Sequence, residues 1–431
     1  MTSLKKLYEL FLKSGKISTD SRKIEKGTLF FALKGENFNG NKYAEDALKK
    51  GAEYAIIDEV EYAVNERLLL VDDVLSCLQQ LANYHRQQLK IPILGITGTN
   101  GKTTTKELIS AVLSEKYRVT YTQGNLNNHI GVPLTLLQMN DDTEFGVVEM
   151  GANHPGEIAT LCQIADPDYG IITNIGKAHL EGFGSFEGVI KTKGELYDYI
   201  KEKSGTIFYN HDNQILEELG EKIPNRVSYG GKNANLTGET IQSPPYIHAK
   251  VNFPKGVLYI NSKLIGDYNF ENILAAACIG YYFKIDPLNI QKAIKNYQPN
   301  NNRSQLIVLG NTKIIMDAYN ANPTSMSASI KSFGKTKDAN SYLILGDMLE
   351  LGEYSEHEHE QILNLVKEEG FKNVLLVGKE FSKSAQKFNF PAFNNVDDLC
   401  KHLKTQDIKN GNILIKGSRG IQLEKVLEIL S

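Results

Sequence analysis

Residues 91–104 read IPILGITGTNGKTT, and this stretch decides the fold of the middle of the chain. An apolar run ends at the first glycines, and a helical pattern begins at Lys102. A strand, a glycine-rich turn and a helix in that order are the context that a phosphate loop requires. The sequence therefore predicts a strand–loop–helix unit that binds phosphate groups.

The residue types of this loop suit a nucleoside triphosphate. Backbone N–H groups of a glycine-rich turn and a helix N-terminus together form a cradle for oxyanions. Lys102 would reach the outer phosphates, and the Thr103 hydroxyl would hold Mg²⁺. The strict motif has glycine five residues before Gly101, where this chain has Ile96. We expect ATP to be bound by Gly98, Thr99, Asn100, Gly101, Lys102, Thr103 and Thr104.

Further apolar runs follow at 145–149 and 169–173, with helical stretches between them. Strands that alternate with helices imply parallel βαβ units. Glu149 ends the first run, and an acid at the carboxyl end of a parallel strand points toward the ligand crevice. Glu149 is therefore a candidate ligand of the ATP-associated magnesium, with a solvated strand-end acid as the alternative.

The rest of the chain divides into blocks on either side of this unit. The first block has short strands and a helix, predicted at 28–33, 54–57, 68–71 and 74–89. Past Pro244–Pro245 the pattern favours short antiparallel strands, then a helix at 272–283 and a linker at 299–302. The last block has strands of a second α/β sheet, predicted at 313–316, 342–345, 374–377 and 413–415.

This pattern predicts an α/β protein of three domains. They are a small N-terminal α/β domain (1–90), a central P-loop ATPase-like domain with a parallel sheet (91–300), and a C-terminal Rossmann-like α/β domain (301–431). A length of 431 residues agrees with this division, because domains average about 150 residues.

Composition excludes several classes of protein. Hydrophobic residues make up 41% and charged residues 23%, which excludes a disordered chain, a collagen and a coiled coil. The net charge of −3 argues against a dedicated nucleic-acid binder. The four cysteines lie far apart with no CxxC pair, so we expect reduced thiols at Cys77, Cys162, Cys278 and Cys400.

The sequence also predicts a cytoplasmic protein that does not insert into a membrane. Charges at Lys5, Lys6, Glu9 and Lys13 interrupt any signal-peptide core. The longest apolar run, 273–283, is too short for a bilayer span, which needs about 20 residues.

Several longer segments carry a resemblance to a known family. They are TGTNGKT at 97–103, GNLNNHIGVPLT at 124–135, EMGANHPGEI at 149–158 and TNIGKAHLEGFGS at 173–185. Together they resemble the Mur ligases, the ATP-dependent amide-forming enzymes of peptidoglycan precursor synthesis.

The last block narrows the resemblance to one branch of that family. Its segments are DAYNANP at 317–323, LGDMLELG at 345–352 and KGSRG at 416–420. They resemble the branch that joins D-alanyl-D-alanine to a UDP-N-acetylmuramoyl-tripeptide. The resemblance implies these two substrates and ATP as partners, an acyl-phosphate route, and a monomer with neither nucleic acid nor membrane as a partner.

The resemblance also implies roles for individual residues. Lys102 would hold ATP phosphates, Thr103 and Glu149 would bind one Mg²⁺, and His179 a second. Lys193, in KTKGELY at 191–197, falls where the family has a carbamylated lysine. Taken alone, Lys193 reads as a solvated lysine.

Other family positions fall on the nucleotide and on the acceptor substrates. Asn269 and Asn272 match the adenine-side H-N-x-x-N pattern, although Tyr268 replaces its histidine, and Arg303 and Asp317 fall where the third domain meets the nucleotide. The first block resembles a uridine-nucleotide-binding domain, but has Asn39 and Asn41 where D-G-H is usual; His129 is a further departure. The implied substrate-binding residues are Ser21, Arg22, Lys34, Gly35, Asn127, Asn128, Asn320 and Asn322.

Two other candidate motifs are incomplete. Residues 355–361, SEHEHEQ, lack the second histidine of a zinc-protease helix, and Ser355 with Glu358 fits a helix capping box. Lys379 follows Val377-Gly378 without the glycine-rich turn of a phosphate loop.

Three alternatives for the function stay open: a Mur ligase that adds a single amino acid, a folylpolyglutamate-synthetase-like enzyme, and a nucleotide-binding switch or kinase with no amide product.

Overall fold

The computed structural model describes residues 2–242, 245–299, 302–406, 408 and 411–430. Pro244 and, in the predicted linker, Asn300 and Asn301 lie outside the described residues. The chain divides into two compact units. Unit 1 comprises Met1–Ile96, Tyr117–Ala152 and Gly156–Gly170; unit 2 comprises Thr97–Lys116, Asn153–Pro155 and Ile171–Ser431.

Strands and helices alternate along most of the described chain. The strands are β1 Ile17–Ser18, β2 Leu29–Phe31, β3 Lys34–Gly35, β4 Phe38–Asn39, β5 Tyr54–Ile57, β6 Leu68–Leu70, β7 Ile93–Thr97, β8 Val119–Tyr121, β9 Phe145–Glu149, β10 Tyr169–Ile172, β11 Thr206–Asn210, β12 Arg226–Gly230, β13 Leu236–Gln242, β14 His248–Phe253, β15 Gly256–Asn261, β16 Gln305–Leu309, β17 Thr312–Asp317, β18 Ser341–Gly346, β19 Asn373–Val377, β20 Ala392–Phe393 and β21 Asn412–Lys416.

The α-helices fall between these strands. They are α1 Leu4–Ser14, α2 Ala44–Lys49, α3 Val74–Leu89, α4 Lys102–Leu113, α5 Gly131–Leu136, α6 Glu157–Ala165, α7 Leu180–Phe183, α8 Phe186–Glu202, α9 Gln214–Gly220, α10 Asn269–Tyr282, α11 Pro287–Asn296, α12 Pro323–Gly334, α13 Ser355–Glu368, α14 Lys379–Ala385, α15 Val396–Leu403 and α16 Leu427–Leu430.

Unit 1 begins with a small parallel sheet of order β1-β2-β5-β6. A cluster of buried residues that includes Phe30, Ala55 and Ile57 forms the core beside this sheet. Later in the unit, β7, β9 and β8 pair in that order, all parallel. Helix α3 packs against α5 and α6, and the Arg86 guanidinium pairs with Asp168 at 2.7 Å. The predicted α3 boundaries, 74–89, are confirmed.

Unit 2 contains both parallel and antiparallel strand pairs. Strands β11, β12 and β13 pair in parallel, and β14 and β15 continue antiparallel. The predicted antiparallel strands are therefore confirmed, although the antiparallel pairing already begins at β13. Helix α10 begins at Asn269, three residues before the predicted start, because the turn that precedes it continues directly into the helix.

The last block of unit 2 is a sheet of order β16-β17-β21-β18-β19-β20. Its strands pair in parallel except β16, which is antiparallel to β17. Successive residues of β18 face opposite sides: Leu343 and Leu345 pack in one cluster with α12 and α13, and Ile344 packs in the other with α15. A sheet buried on both faces by helices is a doubly wound α/β fold, so the predicted fold class is confirmed.

One local prediction was wrong. Ser355 does not cap α13, because the 3₁₀ turn Gly352–Tyr354 runs into the helix and Tyr354 occupies the N-cap position. The Ser355 carbonyl instead accepts a bond from Nδ1 of the buried His359 at 2.7 Å. All four cysteines are free thiols, as predicted. None of the helices in the described residues combines the length and the hydropathy that a membrane span needs.

Candidate functional site

The loop between β7 and α4 has the backbone of an anion cradle. Gly98 has φ +140° and Gly101 φ +76°, values that suit glycine, and Gly101 caps α4. Residues 173–174 hold the loop: the Thr99 N–H donates to the Asn174 carbonyl at 2.9 Å and the Asn100 N–H to the Asn174 side-chain oxygen at 2.9 Å. The loop is therefore fixed by backbone and amide contacts of unit 2 rather than by its own sequence alone.

Lys102 and Thr103 occupy the first turn of α4. The Lys102 Nζ donates to the carbonyls of Gly98 at 2.7 Å and Thr99 at 3.0 Å, so the ammonium lies directly over the loop. Thr103 and Thr104 are both buried. This arrangement places a cation and a hydroxyl at the helix N-terminus, where phosphate oxygens are favoured.

A chain of side-chain amides lies directly behind the loop. The Thr105 hydroxyl donates to Asn272 at 3.0 Å, Asn272 donates to Asn269 at 2.7 Å, and Asn269 donates to the Ile265 carbonyl at 2.7 Å. A Cβ at Gly101 would press on the Asn272 amide. The two asparagines predicted to lie on the adenine side, Asn269 and Asn272, are thus linked to helix α4 through Thr105. Thr105 is not among the site residues predicted from the sequence.

Asp317 and Arg303 lie in the last block, where they make different contacts. The Asp317 carboxylate accepts from Lys416 Nζ at 2.5 Å, from Ser329 at 3.0 Å and from the Ser304 N–H at 3.2 Å. The Arg303 guanidinium lies 3.7 Å from the Tyr319 ring centre, a cation–π geometry. Lys416, in the KGSRG segment, is buried, and its partner Asp317 lies 99 residues away, so no local pattern predicts this ion pair.

Tyr268, the departure from the family pattern, connects to the same group. Its hydroxyl is 2.7 Å from the Ser304 hydroxyl, and burial raises the pKa of Tyr268. The neutral phenol therefore binds a residue adjacent to Arg303.

Asn322 joins the last block to the phosphate loop. It caps α12 by accepting from the Ser325 N–H at 2.9 Å, and its amide donates to the Asn100 side chain at 2.8 Å. Asn322 is 6% exposed, whereas Asn320 is exposed and accepts a bond from the next N–H, that of Ala321. A substrate-binding role for Asn322 stays a prediction.

We predict that the two functions of Asn322 separate by mutation. Asn322→Ala should cost about 1.5–2 kcal/mol of unfolding free energy because the cap and the loop contact are both lost, and Asn322→Ser should cost only about 0.5–1 kcal/mol because serine also caps. Asn395→Ala, at the cap of α15, is the matched control without a loop contact. Denaturant unfolding of Asn100→Ala, Asn322→Ala and the double variant should give a coupling energy of about 0.5–1 kcal/mol. Simple additivity would contradict the contact.

His179 and Lys193 both approach one phenyl ring. The His179 ring meets Phe183 edge to face at 6.2 Å between centroids, and Lys193 Nζ lies 5.2 Å from the centre of the same ring. Lys193 is only 2% exposed, so the reading of it as a solvated lysine is wrong. His179 has a left-handed backbone, with φ +52°, at the start of α7.

Glu149 lies in unit 1 at the end of β9. It is 1% exposed, pairs in register with Ile96 of β7, and accepts from the Asn127 amide at 2.9 Å. The Asn128 side chain instead accepts the N–H groups of Ile130 and Gly131, ahead of α5. Glu149 is therefore a buried, oriented carboxylate and not a solvated strand-end acid.

The predicted uridine-side residues lie in the first sheet region of unit 1. Arg22 makes a two-point contact with Asp20 and lowers the pKa of that carboxyl to about 2. The Ser21 carbonyl accepts from Lys50. Gly35 is exposed at the hairpin of β3 and β4.

Lys34 and the two variant asparagines share two acids. Lys34 Nζ is 3.1 Å from Asp58 and 3.6 Å from Glu59. The Asn41 amide donates to Asp58 and the Asn39 amide to Glu59, both at 2.9 Å. Burial raises the pKa of Asp58, but the bonds from Asn41 and Lys34 outweigh it and lower the pKa overall. The asparagines therefore complete a local polar network.

Among the described residues, no three His, Cys, Asp or Glu side chains are grouped to hold a metal ion. The predicted magnesium ligands are a different set of side chains: the Thr103 hydroxyl, the Glu149 carboxylate, the His179 ring and Lys193. Oxygen donors suit Mg²⁺, so the chemistry of Thr103 and Glu149 fits this ion, and Lys193 fits it only as an oxygen-bearing carbamate.

A strand, glycine loop and helix followed by a separate doubly wound sheet define a phosphate-loop α/β protein. Family models of the Mur ligases match three stretches: the family's catalytic domain at 15–86, the middle domain at 96–280 and the glutamate ligase domain at 302–419. The chain belongs to the Mur ligase family, and it is a ligase.

Individual relatives agree with this assignment. The chain is 36% identical to the UDP-N-acetylmuramoyl-tripeptide–D-alanyl-D-alanine ligase of Bacillus subtilis, over 96% of this chain and 92% of the relative. It is similar to the crystal structure of MurF from Acinetobacter baumannii, with a TM-score of 0.88, 30% identity and coverage of 96% and 93%. MurF from Thermotoga maritima in complex with ADP aligns with a TM-score of 0.85 at 26% identity, covering 100% and 98%.

Proposed function

We propose that this ligase uses ATP to join D-alanyl-D-alanine to a UDP-N-acetylmuramoyl-tripeptide, in the cytoplasmic synthesis of peptidoglycan precursors. The observation that carries the proposal is the phosphate loop with Lys102 over it, in a chain that is similar along nearly its whole length to ligases of that name. We further propose that residues 1–90 bind the uridine nucleotide, 91–300 bind ATP, and 301–431 bind the dipeptide and close on the nucleotide.

The reaction needs an activated carboxylate. The carboxylate of the tripeptide attacks the γ-phosphorus of ATP, the bond from that phosphorus to the bridging oxygen breaks, and ADP leaves. The amine of the dipeptide then attacks the acyl carbon, so that a C–N bond forms, phosphate departs and the amine loses a proton. Each step needs compensation of negative charge and fixed orientation of the reactants, and orientation alone can contribute about 7–11 kcal/mol.

The chain's own residues supply that compensation. Lys102 and the N–H groups of residues 98–101 would hold the outer phosphates, and the Asn269–Asn272 amides would support the adenine side. Arg303, stacked on Tyr319, and Asp317 would approach the nucleotide from the last block. The substrate positions proposed are Ser21, Arg22, Lys34, Gly35, Asn127, Asn128, Asn320 and Asn322.

We propose two Mg²⁺ ions as cofactors. Thr103, Glu149 and His179 would be ligands, together with Lys193 as its carbamate. When bound, magnesium offsets charge on the phosphate oxygens. We also expect a monomer, with no nucleic acid or membrane as a partner.

ADP release tests this function directly. The purified chain should release ADP only when a UDP-N-acetylmuramoyl-tripeptide and D-Ala-D-Ala are both present, and mass spectrometry should find the pentapeptide product. Acceptors with lysine or diaminopimelate at the third position identify the preferred substrate. Release with a single amino acid as the amine would favour another Mur ligase, release with a folate acceptor and glutamate would favour a folylpolyglutamate-synthetase-like enzyme, and release with no amine would favour a kinase or switch.

A further inference from the structure

Outside the phosphate loop, a side-chain hydrogen bond joins His179 to Glu350. The His179 Nδ1 and the Glu350 Oε2 are hydrogen-bonded, although 171 residues separate them. A glutamate side chain is a carboxylate at neutral pH, so Glu350 is the acceptor in this contact. Glu350 lies in the LGDMLELG segment, where no local pattern predicts a bond to His179.

This contact decides which ring nitrogen of His179 carries hydrogen. An ionised carboxylate accepts only, so the Nδ1 must donate to it. In a neutral imidazole the other nitrogen, Nε2, then keeps its lone pair. Carboxylates that orient a histidine in this way govern how well that histidine serves as a ligand.

We propose that Glu350 is a positioning residue of the ligase, which holds the His179 ring with Nδ1 protonated and Nε2 available as an acceptor or ligand. The inference rests on the proposed function for its catalytic consequence. The tautomer of His179 is independent of the proposed function, because it is a property of the chain by itself.

The segment that carries Glu350 is fixed independently of His179. The Met348 N–H donates to Nε2 of the buried His359 at 3.1 Å, and the Leu349 N–H donates to the Ser418 hydroxyl at 3.0 Å. Glu350 itself has φ +62°, a left-handed value that is uncommon for this residue type. Backbone strain of this kind persists where the surroundings over-determine it, so the carboxylate is presented by a rigid support.

The same face of the last block makes further contacts with the chain around His179. The Lys177 N–H donates to the Thr324 hydroxyl at 3.1 Å, and Lys177 Nζ pairs with the buried Glu358 at 2.6 Å. The Glu181 N–H donates to the Glu350 carbonyl at 3.4 Å. His179 is therefore oriented by residues of the last block and would lose that orientation whenever the block moved away.

Orientation, not stability, is what Glu350 contributes. Its side chain is 55% exposed, and exposed ion pairs contribute little to folding. Removing the carboxylate should therefore leave the unfolding midpoint nearly unchanged. By contrast, loss of an orienting partner of a ligand typically lowers ligand affinity or activity about 10–100-fold.

Nitrogen NMR of the imidazole tests the tautomer in the full chain without any substrate. At alkaline pH, ¹⁵N-histidine spectra of the unmodified chain should show His179 with hydrogen on Nδ1, assigned by comparison with His179→Gln. Glu350→Ala should return His179 toward a mixture of tautomers, and Glu353→Ala, which removes an exposed acid of the same segment, should not. A resonance with hydrogen on Nε2 in the unmodified chain would overturn the proposal.

Kinetics then test the consequence. Glu350→Ala should lower kcat about 10–100-fold, Glu353→Ala should leave it within twofold, and adding Glu350→Ala to His179→Gln should lower it no further. Equal losses from Glu350→Ala in both backgrounds would also overturn the role. If the unmodified chain released no ADP while Nδ1 still carried hydrogen, the proposed function would fail and the assignment of the tautomer would stand.

Discussion

Lys102→Ala is expected to nearly abolish ligation, with kcat reduced about 100–1,000-fold, because removing one preorganised charge donor typically costs a factor of about 10²–10³. In the structure, Lys102 Nζ already lies 2.7 Å from the Gly98 carbonyl and 3.0 Å from that of Thr99. The ammonium is therefore held at the loop by the backbone carbonyls of the loop itself. The measurement is ADP release at saturating substrates, together with calorimetric titration of ADP.

The matched control for this variant is Lys379→Ala. Lys379 also follows a strand and a glycine and begins a helix, α14. There the helix N-terminus is occupied from within: the buried Asp347 carboxylate accepts the N–H groups of Glu380 at 2.9 Å and Phe381 at 2.8 Å. Lys379→Ala should therefore retain kcat within twofold. A near-normal kcat for Lys102→Ala would refute the role of the loop, and Lys102→Arg should not restore activity, since the two cations differ in shape.

The phosphate loop could be predicted because its signal is local. The strand, the glycines with positive φ and the helix start are all encoded within residues 91–104, and β7 and α4 lie where that stretch predicts them. The doubly wound sheet was equally predictable. Its strands, such as β18 and β21, are continuous apolar runs, as expected for parallel strands that are buried on both faces.

Contacts between distant residues could not be predicted in this way. Asn322 and Asn100 are separated by 222 residues, and Lys416 and Asp317 by 99. Nothing in either local segment encodes the other partner, and each of these side chains alone is compatible with an exposed polar role. The resemblance located the segments, but only the fold shows that Asn322 is used as a cap and loop contact.

The α13 capping box failed for a related reason. Ser355 and Glu358 have the right spacing, but the 3₁₀ turn before them makes Ser355 the first residue inside the helix. Glu358 then turns to Lys177 at 2.6 Å rather than back to the helix N-terminus. A tertiary ion pair replaced the local bond, and spacing alone cannot distinguish the two.

Lys193→Ala is the second large effect that we expect, with kcat lowered about 100-fold or more. Lys193 is 2% exposed on α8, and the uncharged amine can add CO₂ to form a carbamate, with loss of one proton. Because the ammonium must first lose a proton of its own, the lysine changes overall from a cation to an oxygen-bearing anion. Removing that anion should cost several kcal/mol of charge stabilisation, and each 1.36 kcal/mol is about tenfold in rate. Lys193→Met, which keeps the buried volume, separates this loss from a packing defect.

Lys191→Ala is the matched control, because Lys191 lies two residues earlier in the same helix and is exposed. With ¹³C-bicarbonate, the unmodified chain and Lys191→Ala should show a carbamate carbon resonance, and Lys193→Ala and Lys193→Met should not. Removing CO₂ should lower kcat of the unmodified chain, and adding bicarbonate should restore it. A Lys193 variant with normal kcat would exclude a catalytic role for this lysine. A fully active chain without the resonance would show that Lys193 acts as an amine and would exclude the carbamate.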